Sequence, residues 1–314
     1  MSLPLQSGAV DYSSAGIGKF IPEIWSAKLV QNLYDATIFG SIANTDYEGE
    51  IKGMGNRVFI RTTPDITIRS YQKGQNLVLE RPNKASLTLT IDQGDYFSCV
   101  EDDVDKLQSD INLLDTWSKD ASTRMKMKMD RALLEAIAFG AQTANLVAAN
   151  VGATAGRISG NINLGAVGAP VQLTKVNVLD FIINLGVVLD EQNVPEDNRW
   201  LILPAWACGM IKKSDLKDAS LAGDGQSIAR NGRIGMVDRF MIYMSNQVPS
   251  QLDSSLRCFH IFCGHKMGLT FATQMTEMES LRAESTFGTI IRGLQVYGFQ
   301  ITNGLTLARL YAFQ

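Results

Sequence analysis

Apolar and polar positions change rhythm several times along the chain, and each change marks an element. Residues 1–20 are rich in Gly, Ser and Ala with little periodicity, and read as an arm without a core of its own. Trp25, Leu29, Val30, Leu33 and Tyr34 then recur at spacings of three and four, opposite Glu23, Lys28, Gln31, Asn32 and Asp35. This predicts an amphipathic helix that opens at Pro22, whose fixed φ suits a first helical position, and ends near Gly40. Over residues 48–92 the rhythm shortens. Val58 to Thr62, Ile66 to Arg69 and Leu77 to Leu79 are short β-prone pieces, and Leu87, Leu89 and Ile91 alternate with Ser86, Thr88, Thr90 and Asp92. Gly53, Gly55, Pro64, Gly74 and Pro82 punctuate them. The pattern predicts a long, twisted hairpin with one narrow apolar stripe. A two-stranded ribbon is not stable alone in water. It must lie on its own body or on a neighbouring subunit.

Glu101, Asp102, Asp103 and Asp105 form an acidic run, read as the opening of a helix because carboxylates favour a helix N-terminus. From Ile111 to Phe139, Leu114, Trp117, Ala121, Met125, Met129, Ala132, Ala136 and Phe139 recur at three and four, with Asp110 as N-cap and Gly140 as stop. At about 1.5 Å per residue this helix would run roughly 40 Å, the length of a spine. Residues 141–173 hold a single charge, Arg157, and read as irregular or short-stranded connection. The remainder reads as α/β. Thr174 caps a helix with Val178, Ile182, Leu185 and Leu189 on one face. A turn over Pro195 to Asn198 leads to a strand from Arg199 to Leu203, closed by Pro204. A short helix follows over Ala205 to Lys213, then a Gly/Asp/Ser-rich loop at 214–232. Next come a hairpin joined through Val237-Asp238-Arg239, strands at 256–263 and 268–273, and β-prone segments around Val296 and from Leu305 to Leu310.

Composition narrows the function. At 314 residues the chain is one large domain or two joined ones. Apolar residues at 45% suffice for a sizeable core, whereas charged residues at 19% fall below the usual ~25%, which suits a protein that covers much of its surface with partners. A net charge of −3 argues against a protein whose main task is gripping nucleic acid. Cys99, Cys208, Cys258 and Cys263 are too few and irregular for a disulfide framework. The N-terminus lacks the basic and apolar regions of a secretory signal, and no run approaches the ~18 apolar residues of a membrane span. No membrane partner is expected, and synthesis and folding in a reducing cytoplasm are.

Chemistry is sparse. Cys258, His260, Cys263 and His265 carry zinc-ligand atoms, and a metal-dependent enzyme built on them is an alternative reading. A strand, however, puts Cys258 and His260 on one face and Cys263 on the other, so the four read as strand residues. There is no Walker loop and no G-x-S-x-G elbow. No catalytic residue, metal or cofactor is assigned. Arg124, Lys126, Lys128 and Arg131 form a basic cluster on the long helix, read as a solvated face with non-specific contact to enclosed nucleic acid as the functional alternative. The charge distribution says more. Residues 50–91 hold seven Lys/Arg against three Asp/Glu, and residues 92–110 one against seven. This makes Arg57, Arg61, Arg69, Lys73 and Arg81 on the ribbon, and Glu101, Asp102, Asp103 and Asp105 after it, the candidate interface residues, pairing between subunits or within one.

The order arm, helix, ribbon, acidic run, spine helix and α/β domain resembles the major capsid proteins of tailed bacteriophages, with the Johnson or Hong Kong 97-type fold. Its most specific stretches are Pro195-Glu196-Asp197-Asn198-Arg199-Trp200-Leu201-Ile202-Leu203-Pro204, continuing through Ser214-Asp215-Leu216, and Asn231 through Asn246. They are similar to the axial domain of that family, particularly of short-tailed phage coat proteins. Gly293-Leu294-Gln295-Val296-Tyr297-Gly298 looks like the strand returning to the peripheral domain.

The resemblance implies an α+β fold divided into an N-terminal arm and helix at 1–45, an extended hairpin loop at 46–98, a peripheral domain at 99–170 with the spine helix 111–139, an axial domain at 171–285, and C-terminal strands at 286–314 returning to the peripheral domain. It implies no enzyme but a shell protein of the virion, self-assembling into hexamers and pentamers around double-stranded DNA. The partners implied are a separate scaffolding protein, a portal, decoration proteins and the packaged DNA. A cellular nanocompartment shell of the same fold is the alternative.

Overall fold

The computed structural model of the chain describes residues 37–47, 56–61, 64, 66–81, 86–103, 107, 113–139, 162–214, 235–284 and 286–314. The helix expected from Pro22, apart from its end, lies outside them, as do Asp105, Asp110, Gly140 and the loop beyond Ser214. In chain order the elements are α1 (Phe39–Ile42), β1 (Arg57–Arg61), β2 (Ser86–Thr90), β3 (Gln93–Asp102), α2 (Leu113–Phe139), β4 (Val171–Gln172), α3 (Val178–Glu191), β5 (Arg199–Leu203), α4 (Ala205–Lys213), β6 (Met236–Val237), β7 (Phe240–Met244), β8 (Ser250–Asp253), β9 (Leu256–His265), β10 (Leu269–Arg282), β11 (Gly288–Ile301) and β12 (Leu307–Phe313).

Every residue of β5 is buried, as a strand covered on both faces must be. It lies in a sheet ordered β4-β12-β9-β5-β7-β6, with β8 added on β9; β5–β7 and β4–β12 are parallel and the other pairs antiparallel. Alternation sends Leu201, Leu203, Ile261, Cys263, Ala308 and Leu310 to one face, where α3 and α4 cover them. Trp200, Ile202 and Phe262 go to the other, against α1, α2 and the start of β10. The stripe Val178, Ile182, Leu185 and Leu189 is buried on α3 as predicted. The helix is entered at Asn177 rather than Thr174, and the two side chains exchange bonds, with Thr174 N donating to Asn177 Oδ1 (2.7 Å) and Asn177 N to Thr174 Oγ1 (3.4 Å).

A second sheet, ordered β10-β11-β3, is antiparallel throughout. It moves the helix start within the acidic run to Asp103, which is helical, and places the carboxylates before it in a strand. Glu101 and Asp102 are the last residues of β3, paired with Thr289 and Gly288 of β11. The strands of 286–314 divide between the sheets, β11 joining β10 and β3 while β12 returns to the large sheet.

The spine helix forms as α2, but its buried stripe differs from the predicted one. Met129, Leu133, Leu134, Ile137 and Ala138 are buried, whereas Ala132 and Ala136 are half-buried and Trp117 and Phe139 are exposed. Burial is confined to the C-terminal half, where the helix crosses the large sheet. Asp130 is buried in that half too, and its carboxylate accepts the amide hydrogens of Ile38 (2.8 Å) and Phe39 (2.9 Å). It thereby supplies the cap that α1 lacks from its own Ile38. Gly40, expected to end a helix, lies inside α1.

Candidate assembly interface

The ribbon has a rooted base and an outlying tip. At the base β1 and β2 pair antiparallel from Arg57↔Thr90 to Arg61↔Ser86. Ile60, Leu89 and Ile91 bury against Ala272, with Val58, Leu87 and Val296 packed around them. Ala272 pairs with Gly298 across β10–β11, and these small residues leave a flat seat for the incoming strand. A Cβ on Gly298 would lie 2.2 Å from the Thr90 carbonyl oxygen, so the seat requires glycine.

Beyond the base the ribbon residues 66–81 bury nothing against the other described residues. Residues 66–81 form no strand, which corrects the expectation of β-structure at Ile66 to Arg69 and Leu77 to Leu79. The two arms still run together. Thr67 Oγ1 donates to Glu80 Oε1 (3.3 Å), and Gln75 N donates to Gln72 O (3.0 Å) across a turn that uses Gly74 at φ 87°. Ile68 and Leu79 are each 91% exposed, and Ile66, Tyr71, Leu77 and Val78 are exposed with them. This is a large exposed apolar surface for one narrow projection.

The three-stranded sheet offers a second such surface. Its face toward α2 carries Asp95 and Met278; Lys128 reaches Asp95, and Ser118 Oγ donates to Met278 Sδ (3.5 Å). Strand alternation and register put Tyr96, Val100, Leu281 and Leu294 on the opposite face, all exposed, Tyr96 at 78%. Glu277 and Glu279 border them, and Arg292 donates from Nε (2.9 Å) and Nη2 (2.7 Å) to Glu279 Oε2. A groove runs over this face between Tyr96, Leu294 and Glu277.

The nine residues singled out by charge fall into two groups. Arg57, Arg61, Arg69, Lys73 and Arg81 are all exposed on the ribbon, and none pairs with a carboxylate among the described residues. On the acidic side Glu101 is buried in its own subunit and Asp102 is exposed. Asp103 is held by Arg282, whose Nη1 donates at 3.1 Å. Asp105 lies outside the described residues. Sequence reasoning missed the exposed sheet face; its signal is the alternation of Tyr96, Ser98 and Val100, hidden beneath the more conspicuous acidic run.

The basic cluster on the spine helix is partly engaged within the subunit. Arg124 pairs with Asp120 (2.9 Å), Lys128 with Asp95, and Arg131 Nε donates to Gln247 (3.1 Å).

The Cys/His constellation does not converge. Strand β9 is regular through its pairings, which puts Cys258 and His260 on one face and Cys263 and His265 on the other. His260 is fully buried, with Tyr311 (4.7 Å between ring centroids), Phe139 (5.1 Å) and Phe262 (6.4 Å) around it, and neither ring nitrogen has a hydrogen-bond partner. Burial, aided by the nearby Arg309 charge, lowers its pKa to about 4. Burial also lowers that of His265, whose Nδ1 accepts from Met267 N (3.1 Å) at a tight turn. Burial raises the Cys208 thiol to about 11 and pushes Cys263 higher still, so neither is poised as a nucleophile or metal ligand.

An α/β sheet domain, a spine helix laid across it, a second sheet with an open face and a hairpin projecting beyond both define the Hong Kong 97-type capsid fold. Solved structures share it over almost the whole chain. A chain of Mycobacterium phage Che8 is 23% identical, with 92% of this chain and 96% of that chain covered and a TM-score of 0.75. The capsid structure of the cyanophage P-SCSP1u aligns at 14% identity, with 99% and 98% covered and a TM-score of 0.71. The mature capsid of bacteriophage PhiM1 aligns at 15%, with 98% of each chain covered and a TM-score of 0.68. No protein-family model matches the chain, and no curated protein matches it significantly.

Proposed function

We propose that the chain is the major capsid protein of a tailed bacteriophage, self-assembling into the hexamers and pentamers of an icosahedral shell that encloses double-stranded DNA in the virion. The observation that carries this is the apolar, basic ribbon tip, exposed on a fold that aligns nearly end to end with phage capsid chains. In this reading the tip of one subunit lies on the open face of a neighbour's three-stranded sheet. Ile68, Leu77 and Leu79 cover Tyr96 and Leu294, while Arg69, Lys73 and Arg81 meet Glu277 and Asp102. Each contact gains about 25 cal/mol per Å² of apolar surface buried, and repetition around a closed lattice turns modest contacts into a stable shell.

The residues before 46 act as the arm and its helix, 46–98 as the extended loop, whose last residues enter β3, α2 with the rest of the three-stranded sheet as the peripheral unit, and the large sheet with α3 and α4 as the axial unit. The subunit's role is structural rather than catalytic, and a separate scaffolding protein, a portal and the packaged DNA are its partners.

Negative-stain microscopy of the chain, expressed alone and with its scaffold, tests the proposal. Rings of five or six, or closed particles, are expected. A monodisperse monomer under every condition contradicts it.

A further inference from the structure

The ribbon's root is tied to the spine helix through one carboxylate. Asp95 is the third residue of β3, just after the ribbon chain returns at Ile91, and it is buried on the face that looks toward α2. Its Oδ1 accepts from Lys128 Nζ of the spine helix. Its Oδ2 accepts from the Tyr297 hydroxyl of β11 (3.1 Å). Tyr297 is itself fixed, buried and stacked on Phe271 at 5.8 Å. Gly298, its neighbour, is the residue on which Thr90 and Ile91 of the ribbon base rest. Gly94, directly before Asp95, pairs with Val296 of β11, so the ladder carries the ribbon's return directly into the Asp95 position.

We infer that Asp95 is a latch: shared between Lys128 and Tyr297, it fixes the direction in which the ribbon leaves the body and makes that direction depend on the position of the spine helix. The Lys128 side chain is 68% exposed, so the ammonium reaches its partner from solvent and its removal opens no cavity in the core. The contact therefore orders the root without being part of the packed interior. Two residues further along, Asp130 holds the amides of Ile38 and Phe39. One short stretch of α2 thus grips both the ribbon root and the last part of the N-terminal arm.

The use of the ribbon in assembly rests on the function proposed above. The latch is read on the unassembled full-length chain, so the two fail separately. Amide hydrogen exchange is followed in Lys128→Met, in the doubly neutral Asp95→Asn/Lys128→Met, which leaves no uncompensated carboxylate, and in Lys128→Arg. The core strand 258–264 serves as internal reference. Exchange over residues 87–96 rises at least tenfold in the first two variants and stays near wild type in Lys128→Arg, while 258–264 is unchanged in all three. Unchanged exchange over 87–96 in the doubly neutral variant overturns the inference. So does a parallel rise in both segments, which would make the contact an ordinary part of the core.

Discussion

Among the described residues, His260 carries a clear pH signature. Its imidazole is buried among three aromatic rings without a hydrogen bond, and its pKa falls from 6.5 to about 4. Above pH 6.5 folded and unfolded chains hold the same number of protons at this site. As pH falls the unfolded chain takes up a proton that the folded one refuses until about pH 4, so stability is lost across that window. The loss is on the order of 3 kcal/mol when complete, and burial of His265 adds in the same direction. His260→Phe keeps the ring contacts and removes the proton. Urea unfolding of this variant should show a flatter profile between pH 6.5 and 4 and undiminished stability at pH 7. A wild-type slope in the variant would show that the loss arises elsewhere.

Asp130 makes the second residue-scale prediction. Replacing it by Ala leaves two amides without their charged acceptor and should lower stability by about 3 kcal/mol in the same assay. A loss below about 1 kcal/mol would mean that water or another group serves α1 as well. Nothing in the sequence marks this aspartate. It stands among Met129, Arg131 and Ala132 on a helix, and periodicity reports which face is buried, not what a carboxylate on that face will meet.

At the scale of elements, legibility followed burial. Strand β5 and the stripe of α3 were plain because a strand covered on both faces, or a helix on one, has its pattern set by that burial alone. The stripe of α2 was misplaced because the helix is half overhang. Its N-terminal half buries no residue among those whose burial is described, so the spacing of Trp117, Ala121 and Met125 there reports no core. The sequence of β3 alternates as a strand does, but its carboxylates suggested a helix N-terminus. Ribbon residues 66–81 have strand-forming residues and no ladder, since β propensity reflects packing against neighbours that the lone subunit does not provide. The ribbon tip therefore yields a clean separation of roles. Ile68→Ser with Leu79→Ser should leave the monomer's stability within about 0.5 kcal/mol, as exposed substitutions do, while reducing assembly at least tenfold in sedimentation or light scattering. Unimpaired assembly would remove the tip from the interface; a marked loss of monomer stability would place it in the subunit's own core.

For the whole molecule, composition and architecture agree. The chain carries fewer charges than a typical soluble domain, and two of its features, a projecting ribbon and an open sheet face, expose groups of large apolar side chains. Neither satisfies the other within one subunit, yet both stand on firmly packed bodies, which suits heterologous contacts that close into rings and shells. Hydrogen exchange of the amides of residues 66–81, before and after assembly, tests this most directly. Near-intrinsic exchange in the free subunit, slowed at least a hundredfold in particles, is the predicted result. Protection already complete in the monomer, or still absent in closed shells, would contradict it.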